Sequence, residues 1–103
     1  MRLGRKRFAD VIERQLDLFA ADEADLLDEA ATTDAAWTTA PTEESEERYG
    51  DYQLVVDAVA ERLAELRDHY ASALDEAAAD EYCAAFNRTA TKRFGRFASA
   101  LVD

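Results

Sequence analysis

The sequence predicts an all-α protein that folds as an elongated three-helix bundle with up-down-up topology. The chain is rich in alanine and has only three glycines and one proline, a composition that favours helices. Apolar residues recur every three or four positions in three segments, which is the helical period. The β-branched runs typical of strands are absent. A length of 103 residues suits a single domain with its own core, so we expect residues 1–103 to form one helical domain.

The first predicted helix covers about residues 5–31. Its weakest stretch is the middle, where Asp22, Glu23 and Asp25 crowd one turn. A threonine-rich stretch that contains Pro41 follows, and it predicts a connection over residues 32–42. The expected buried stripe of this helix consists of Phe8, Val11, Ile12, Leu16, Phe19, Leu26 and Leu27.

The second predicted helix covers about residues 43–72 and carries the clearest pattern in the chain. Thr42 is a candidate N-cap, and the glutamates that follow it complement the positive end of the helix macrodipole. Spacings that alternate between three and four residues indicate one buried face, which would pack against other helices. The residues of this seam are Tyr49, Tyr52, Val56, Val59, Leu63, Leu66 and Tyr70.

The third predicted helix covers about residues 76–101, and Asp75 is its candidate N-cap. The connection before it is short, so the second and third helices should run antiparallel. Gly95 is either a small residue in the last turns or the position where the helix stops. Its expected stripe consists of Tyr82, Cys83, Phe86, Ala90, Phe94, Phe97 and Leu101.

Charge is unevenly distributed. The formal net charge of −11 repels nucleic acid and anionic lipid over most of the surface. Both ends of the chain are nevertheless basic, and their cations allow two interpretations. They pair with carboxylates of neighbouring helices, Arg5, Lys6 and Arg7 facing the acidic start of the third helix, or they form basic-aromatic patches for an anionic partner. The candidate interaction residues are Arg5, Lys6, Arg7, Lys92, Arg93 and Arg96.

Two further features concern partners. Trp37, in the predicted connection, either closes the end of the bundle or projects as an anchor for a partner. Ala60, Ala64 and Ala71 form a row of small residues on the second helix, where another helix could approach closely. We therefore expect a homo-oligomer, with a dimer favoured, or binding to another helical protein, and we expect neither nucleic acid nor membrane as a partner.

His69 is the only histidine, so each catalytic hypothesis that needs a histidine depends on it. Glu65 shares a helix face with it and could be a second metal ligand, but the chain lacks the repeated Glu-x-x-His pairs of metal-binding bundles. Six residues separate Arg62 from His69, a spacing that resembles the Arg-x4-6-His signature of the helical HEPN ribonucleases. That resemblance would imply a nuclease, although Leu63 stands where the family usually has a polar residue.

The sequence thus predicts a non-catalytic protein-interaction or accessory module without a cofactor. One alternative is a membrane-surface or nucleic-acid accessory factor that uses the basic termini, and another is a small nuclease or metal-dependent enzyme that uses His69. Cys83 is the only cysteine and cannot form an internal disulfide, which fits a reducing cytoplasm. The N-terminal residues lack the apolar run of a signal peptide or a membrane span.

Overall fold

A computed structural model describes residues 7–102, and the secondary structure of that part of the chain is helical, without strands. The all-α prediction is therefore confirmed. The molecule measures 53 × 25 × 25 Å along its principal axes. Its elements are α1 (Ala9–Asp22), α2 (Ala24–Thr38), α3 (Thr42–Ala71), α4 (Glu76–Phe94) and a 3-10 helical C-terminal segment (Gly95–Val102).

The first predicted helix is two helices, α1 and α2, that meet at Glu23. The φ and ψ angles of Glu23 are −109° and 29°, far from the α-helical values near −63° and −42°. Backbone hydrogen bonds still bridge the break, because the Glu23 N–H donates to the carbonyl of Phe19 and its own carbonyl accepts from the Leu27 N–H. The break lies in the acidic stretch that the sequence marks as weakest.

The predicted connection over residues 32–42 is wrong, because α2 remains helical to Thr38. The hydroxyl of Thr33 donates to the carbonyl of Glu29, four residues earlier, so its polar group is satisfied inside the helix. The helix stops only near Pro41, which has no N–H and disfavours helical geometry at the residue before it. The connection to α3 consists of residues 39–41 alone.

The second predicted helix matches α3 closely, and most of its seam is buried. Tyr52, Val56, Val59 and Leu63 are buried, whereas Tyr49 near the start of the helix is 43% exposed. Pro41 rather than Thr42 occupies the N-cap position, and it makes no side-chain capping hydrogen bond.

The start of α4 follows the prediction, and its end follows the alternative in which the helix stops at Gly95. Asp75 caps the helix, since its Oδ1 accepts from the Ala78 N–H at 2.8 Å. The helix ends at Phe94 rather than near residue 101, because Gly95 has a φ of 62°, a backbone conformation that glycine adopts readily. The chain then turns and continues as the C-terminal segment.

The helices pack at different distances. α2 lies closely along α3, where the small side chain of Ala30 is fully buried. α1 contacts α2 and α4, and the C-terminal segment packs against α3 and α4. The core is one connected cluster, and its largest fully buried side chains are Ile12, Leu16, Val59, Leu63, Tyr82 and Phe86.

Candidate docking groove between α1 and α3

An open groove of about 850 Å³ separates α1 from the C-terminal half of α3. It exists because α1 packs on α2 and α4 and makes little contact with α3, whereas α2 lies against α3. We refer to it as the α1–α3 groove. Its walls are formed by Gln15, Leu18, Phe19, Asp22 and Glu23 on one side and by Glu61, Arg62, Glu65, Leu66 and His69 on the other.

The groove has an apolar floor. Leu18 on α1 is 61% exposed and lines the groove, so its apolar side chain is open to a ligand there. Phe19 beside it is buried, and its ring meets that of Phe94 edge-on with centroids 5.7 Å apart. Leu66 on the opposite wall is half-buried. Water-exposed apolar surface therefore faces the groove from both helices.

The rim of the groove is acidic. Four carboxylates line it, those of Asp22, Glu23, Glu61 and Glu65, against the single guanidinium of Arg62. Arg62 Nη1 donates to Glu23 Oε1 at 2.5 Å, so this cation is engaged by a carboxylate at the break between α1 and α2. The electrostatic potential in the groove is therefore negative, which favours a cationic ligand.

Gln15, which lines the groove on the α1 side, is hydrogen-bonded to a core residue. The hydroxyl of Tyr82, a fully buried side chain of α4, donates to Gln15 Oε1 at 2.8 Å. Burial raises the pKa of Tyr82 to about 12, although the hydrogen bond with Gln15 acts in the opposite direction. Tyr70 of α3 also contacts Tyr82, with ring centroids 4.7 Å apart. Gln15 could not be recognised from the sequence, since one glutamine on a helix has no distinctive spacing.

Arg62 and His69, the pair that resembles the HEPN signature, both line this groove, together with Glu65. The groove lining of the described chain includes no serine, threonine or cysteine that could act as a nucleophile. Asp57, earlier on α3, lines a second depression instead. Within residues 7–102, no three histidine, cysteine or acidic side chains converge on a point that could hold a metal ion.

Basic residues near both ends of the described chain form ion pairs with carboxylates on other helices. Arg7 Nη1 lies 3.5 Å from Glu81 Oε1. Arg93 Nη1 donates to Asp17 Oδ1 at 2.7 Å.

Arg96 extends this pattern, because its guanidinium pairs with the carboxylate of Asp34. Lys92 is exposed and lines a small depression with Glu13. Arg5 and Lys6 lie outside the described residues. Arg7, Arg93 and Arg96 thus each lie next to a carboxylate of another helix.

Trp37 lies at the far end of the bundle, in a cluster of aromatic rings. Its ring stacks on Tyr52 at 5.2 Å and meets Tyr49 edge-on at 4.8 Å, both measured between centroids. The guanidinium carbon of Arg96 lies 5.8 Å from the Trp37 ring and 5.7 Å from the Tyr52 ring. The half-buried Trp37 thus packs on α3 at this end of the molecule.

The row of small residues on α3 faces the chain itself. Ala60 is buried, and Ala64 and Ala71 are half-buried and pack against the core cluster. Ala60 and Ala64 share a depression with Ala100 and Leu101 of the C-terminal segment. Ala60 and Ala64 therefore lie beside the C-terminal segment of the same chain, and the predicted self-association through this row stays a prediction.

Comparison of the chain with protein-family models, curated proteins and solved structures finds no match. None of the helices in the described part of the chain combines the length and apolar character needed to cross a membrane.

Proposed function

We propose that this protein is a non-catalytic protein-interaction module and that the α1–α3 groove is its docking surface. The observation that carries the proposal is the exposure of Leu18 beside an open groove whose other apolar residues, Phe19 and Leu66, lie next to it. Apolar surface of this kind, rimmed by charged residues, is typical of sites where proteins bind one another.

Charge supports a protein partner over a nucleic acid. Carboxylates outnumber cations on the rim, and phosphate groups would be repelled from it. Arg62 is held by Glu23, and Arg7, Arg93 and Arg96 are paired with acids of other helices. A nuclease or a phosphate-binding factor would need these cations for its ligand.

The groove is tested by placing a photo-crosslinking amino acid at position 18, in cells that express the protein, and identifying the adduct by mass spectrometry. Position 54 supplies a matched control, since Leu54 is also an exposed leucine, at 72%, and does not line the groove. We expect position 18 to yield one dominant adduct that excess unlabelled protein competes away. The same spread of adducts from both positions would contradict the proposal.

Self-association remains a separate prediction. Light scattering at high protein concentration distinguishes a dimer from a monomer of 11.5 kDa. The Leu18 and Leu54 variants described below show whether any dimer uses the groove.

A further inference from the structure

Resting on the proposed function, we infer that the α1–α3 groove binds a basic amphipathic helix of its partner. The dimensions of the groove, its apolar floor and its acidic rim each restrict the ligand. Together they describe a short helix with an apolar stripe and flanking lysine or arginine side chains.

The groove has the length of a short helical segment. Its α1 wall extends from Gln15 to Asp22 and its α3 wall from Glu61 to His69, and each span is about 10 to 12 Å at 1.5 Å per residue. That length holds about two turns of a ligand helix. Two helices already form the walls, so a third could lie between them and bury its apolar side, as in other helix-in-groove complexes.

The floor of the groove requires an apolar stripe on the ligand. Leu18 and Phe19 line the groove from α1, and Leu66 lines it from α3. A helix with apolar residues at positions i, i+3 or i+4 and i+7 presents a continuous stripe to such a floor. Binding would remove Leu18 from water, which supplies a favourable hydrophobic contribution.

The rim determines the charge of the ligand. Asp22 on one wall and Glu61 and Glu65 on the other lie beside the apolar floor, where the cations flanking an apolar stripe would meet them. A second copy of this chain fits poorly, because the whole chain carries −11 and two facing grooves would bring carboxylates together. A basic partner segment is attracted both to the groove and to the rest of the molecule.

The probe for this inference is an 18-residue helical peptide of leucine and lysine with the leucines along one face. Two comparison peptides separate the contributions. One carries glutamate in place of every lysine, and the other has the same composition with the leucines distributed around the helix. We expect only the first peptide to bind tightly in a calorimetric titration. Equal binding of the redistributed peptide would mean that general charge attraction is responsible, and it would overturn the inference.

Variants locate the binding. Leu18→Asp should weaken binding of the amphipathic peptide by about tenfold or more, because it removes the apolar floor at the centre of an interface. Leu54→Asp introduces the same change at an exposed leucine outside the groove, and it should leave affinity within about twofold. Equal losses in the two variants would exclude the groove as the site. Circular dichroism of both variants checks that the helices remain formed.

Charge neutralisation supplies the second arm. Glu61→Gln with Glu65→Gln should weaken binding several-fold at low salt and reduce its dependence on salt concentration. Glu43→Gln with Glu47→Gln, on exposed residues at the other end of α3, should do neither at comparable strength. Identical salt dependence in the two double variants would overturn the assignment of the rim.

The outcome also separates this inference from the proposed function. If position 18 crosslinks to a neutral or acidic segment of a partner, the inference fails and the interaction module stands. If the protein forms a dimer that Leu18→Asp disrupts and no basic peptide binds, the occupant is a second copy and the inference fails.

Discussion

The two ends of this elongated molecule pack in different ways. At the Trp37 end, α2 lies close along α3, and the only fully buried side chain that α2 contributes is that of Ala30. At the other end, α1 contributes the bulky Ile12, Leu16 and Phe19 to the core and stands away from α3. The distance between two packed helices depends on the side chains at their contact, so a small residue permits close approach and large residues do not.

The consequence of this difference is the groove. α1 packs on α2 and α4 but makes little contact with α3, and the space left between α1 and α3 opens to solvent. The break at Glu23 allows one continuous stretch of chain to adopt both arrangements, with Arg62 of α3 bound to Glu23 at the junction. Close packing at one end thus coincides with a small buried residue on α2, and the open groove at the other end with bulky buried residues on α1.

The largest effect should come from the core near this junction. Leu63 follows Arg62 in the chain and is fully buried. Leu63→Ala should lower the free energy of unfolding by about 2 to 5 kcal/mol, through lost burial and an unfilled cavity. Leu54→Ala removes the same atoms from an exposed site of the same helix and should cost little. Urea unfolding followed by circular dichroism measures both, and equal costs would mean that the buried face of α3 is misassigned.

The α1 end should show a distinctive pH dependence. The pKa of Tyr82 is raised by burial from 10 to about 12 in the folded protein. The unfolded chain then releases this proton at lower pH than the folded chain. The free energy of unfolding should therefore fall by up to about 2 to 3 kcal/mol between pH 10 and pH 12, and be unaffected by this group below pH 10.

Tyr82→Phe removes the ionising hydroxyl and should flatten much of that decline in thermal unfolding measured across the pH range. Burial raises the pKa values of Tyr52 and Cys83 as well, so part of the decline should remain. A profile unchanged by Tyr82→Phe would contradict the role assigned to this tyrosine.

Close packing at the Trp37 end should make it sensitive to added volume. Ala30→Leu inserts extra carbon atoms where α2 meets α3 and should cost about 1 to 3 kcal/mol. Ala21→Leu makes the same change on the exposed side of α1 and should be nearly neutral. If both substitutions are neutral, α2 and α3 are not as closely packed as described.

Two glycines should respond with opposite signs to the same substitution. Gly95 has a φ of 62°, so Gly95→Ala should destabilise the protein by about 1 to 3 kcal/mol. Gly50 lies inside α3 with open space around an added Cβ, so Gly50→Ala should stabilise by about 0.5 to 1 kcal/mol. Melting temperatures of the two variants provide the measurement, and shifts of the same sign would contradict the backbone geometry at Gly95.

The smallest effect should come from the interhelical ion pairs. Arg93→Gln removes the contact with Asp17 and should cost about 0 to 1 kcal/mol, because both partners are exposed to solvent. The cost should decrease further at high salt. A loss comparable to that of Leu63→Ala would show that charge pairing, rather than packing, holds α4 to α1.

Much of the fold is predictable because helical periodicity is a strong local signal. The seam of α3 and the Asp75 cap of α4 are both readable from spacing and residue type. The threonine-rich stretch misleads, because threonine hydroxyls can bond within a helix, as Thr33 does, and the helix then continues. The break at Glu23 is only suggested, since crowded carboxylates weaken a helix without specifying whether it stops.

The groove could not be predicted from the sequence. Leu18 differs from the neighbouring Leu16 only in the direction it faces, and that direction depends on where α1 lies relative to α3. Which segment lies beside Ala60 and Ala64 also depends on long-range placement. Their small size indicates a close neighbour, but only the turn at Gly95 brings the C-terminal segment to them.

The position of Trp37 gives the molecule an internal optical probe. It is the only tryptophan, and its ring contacts tyrosines of α3 and the guanidinium of a residue beyond Gly95. Its emission spectrum therefore reports whether α2, α3 and the C-terminal segment are assembled, and no second indole contributes to the signal. No tryptophan lines the groove. A ligand bound there would therefore alter tryptophan emission only through a structural change transmitted along α2 or α3 to Trp37.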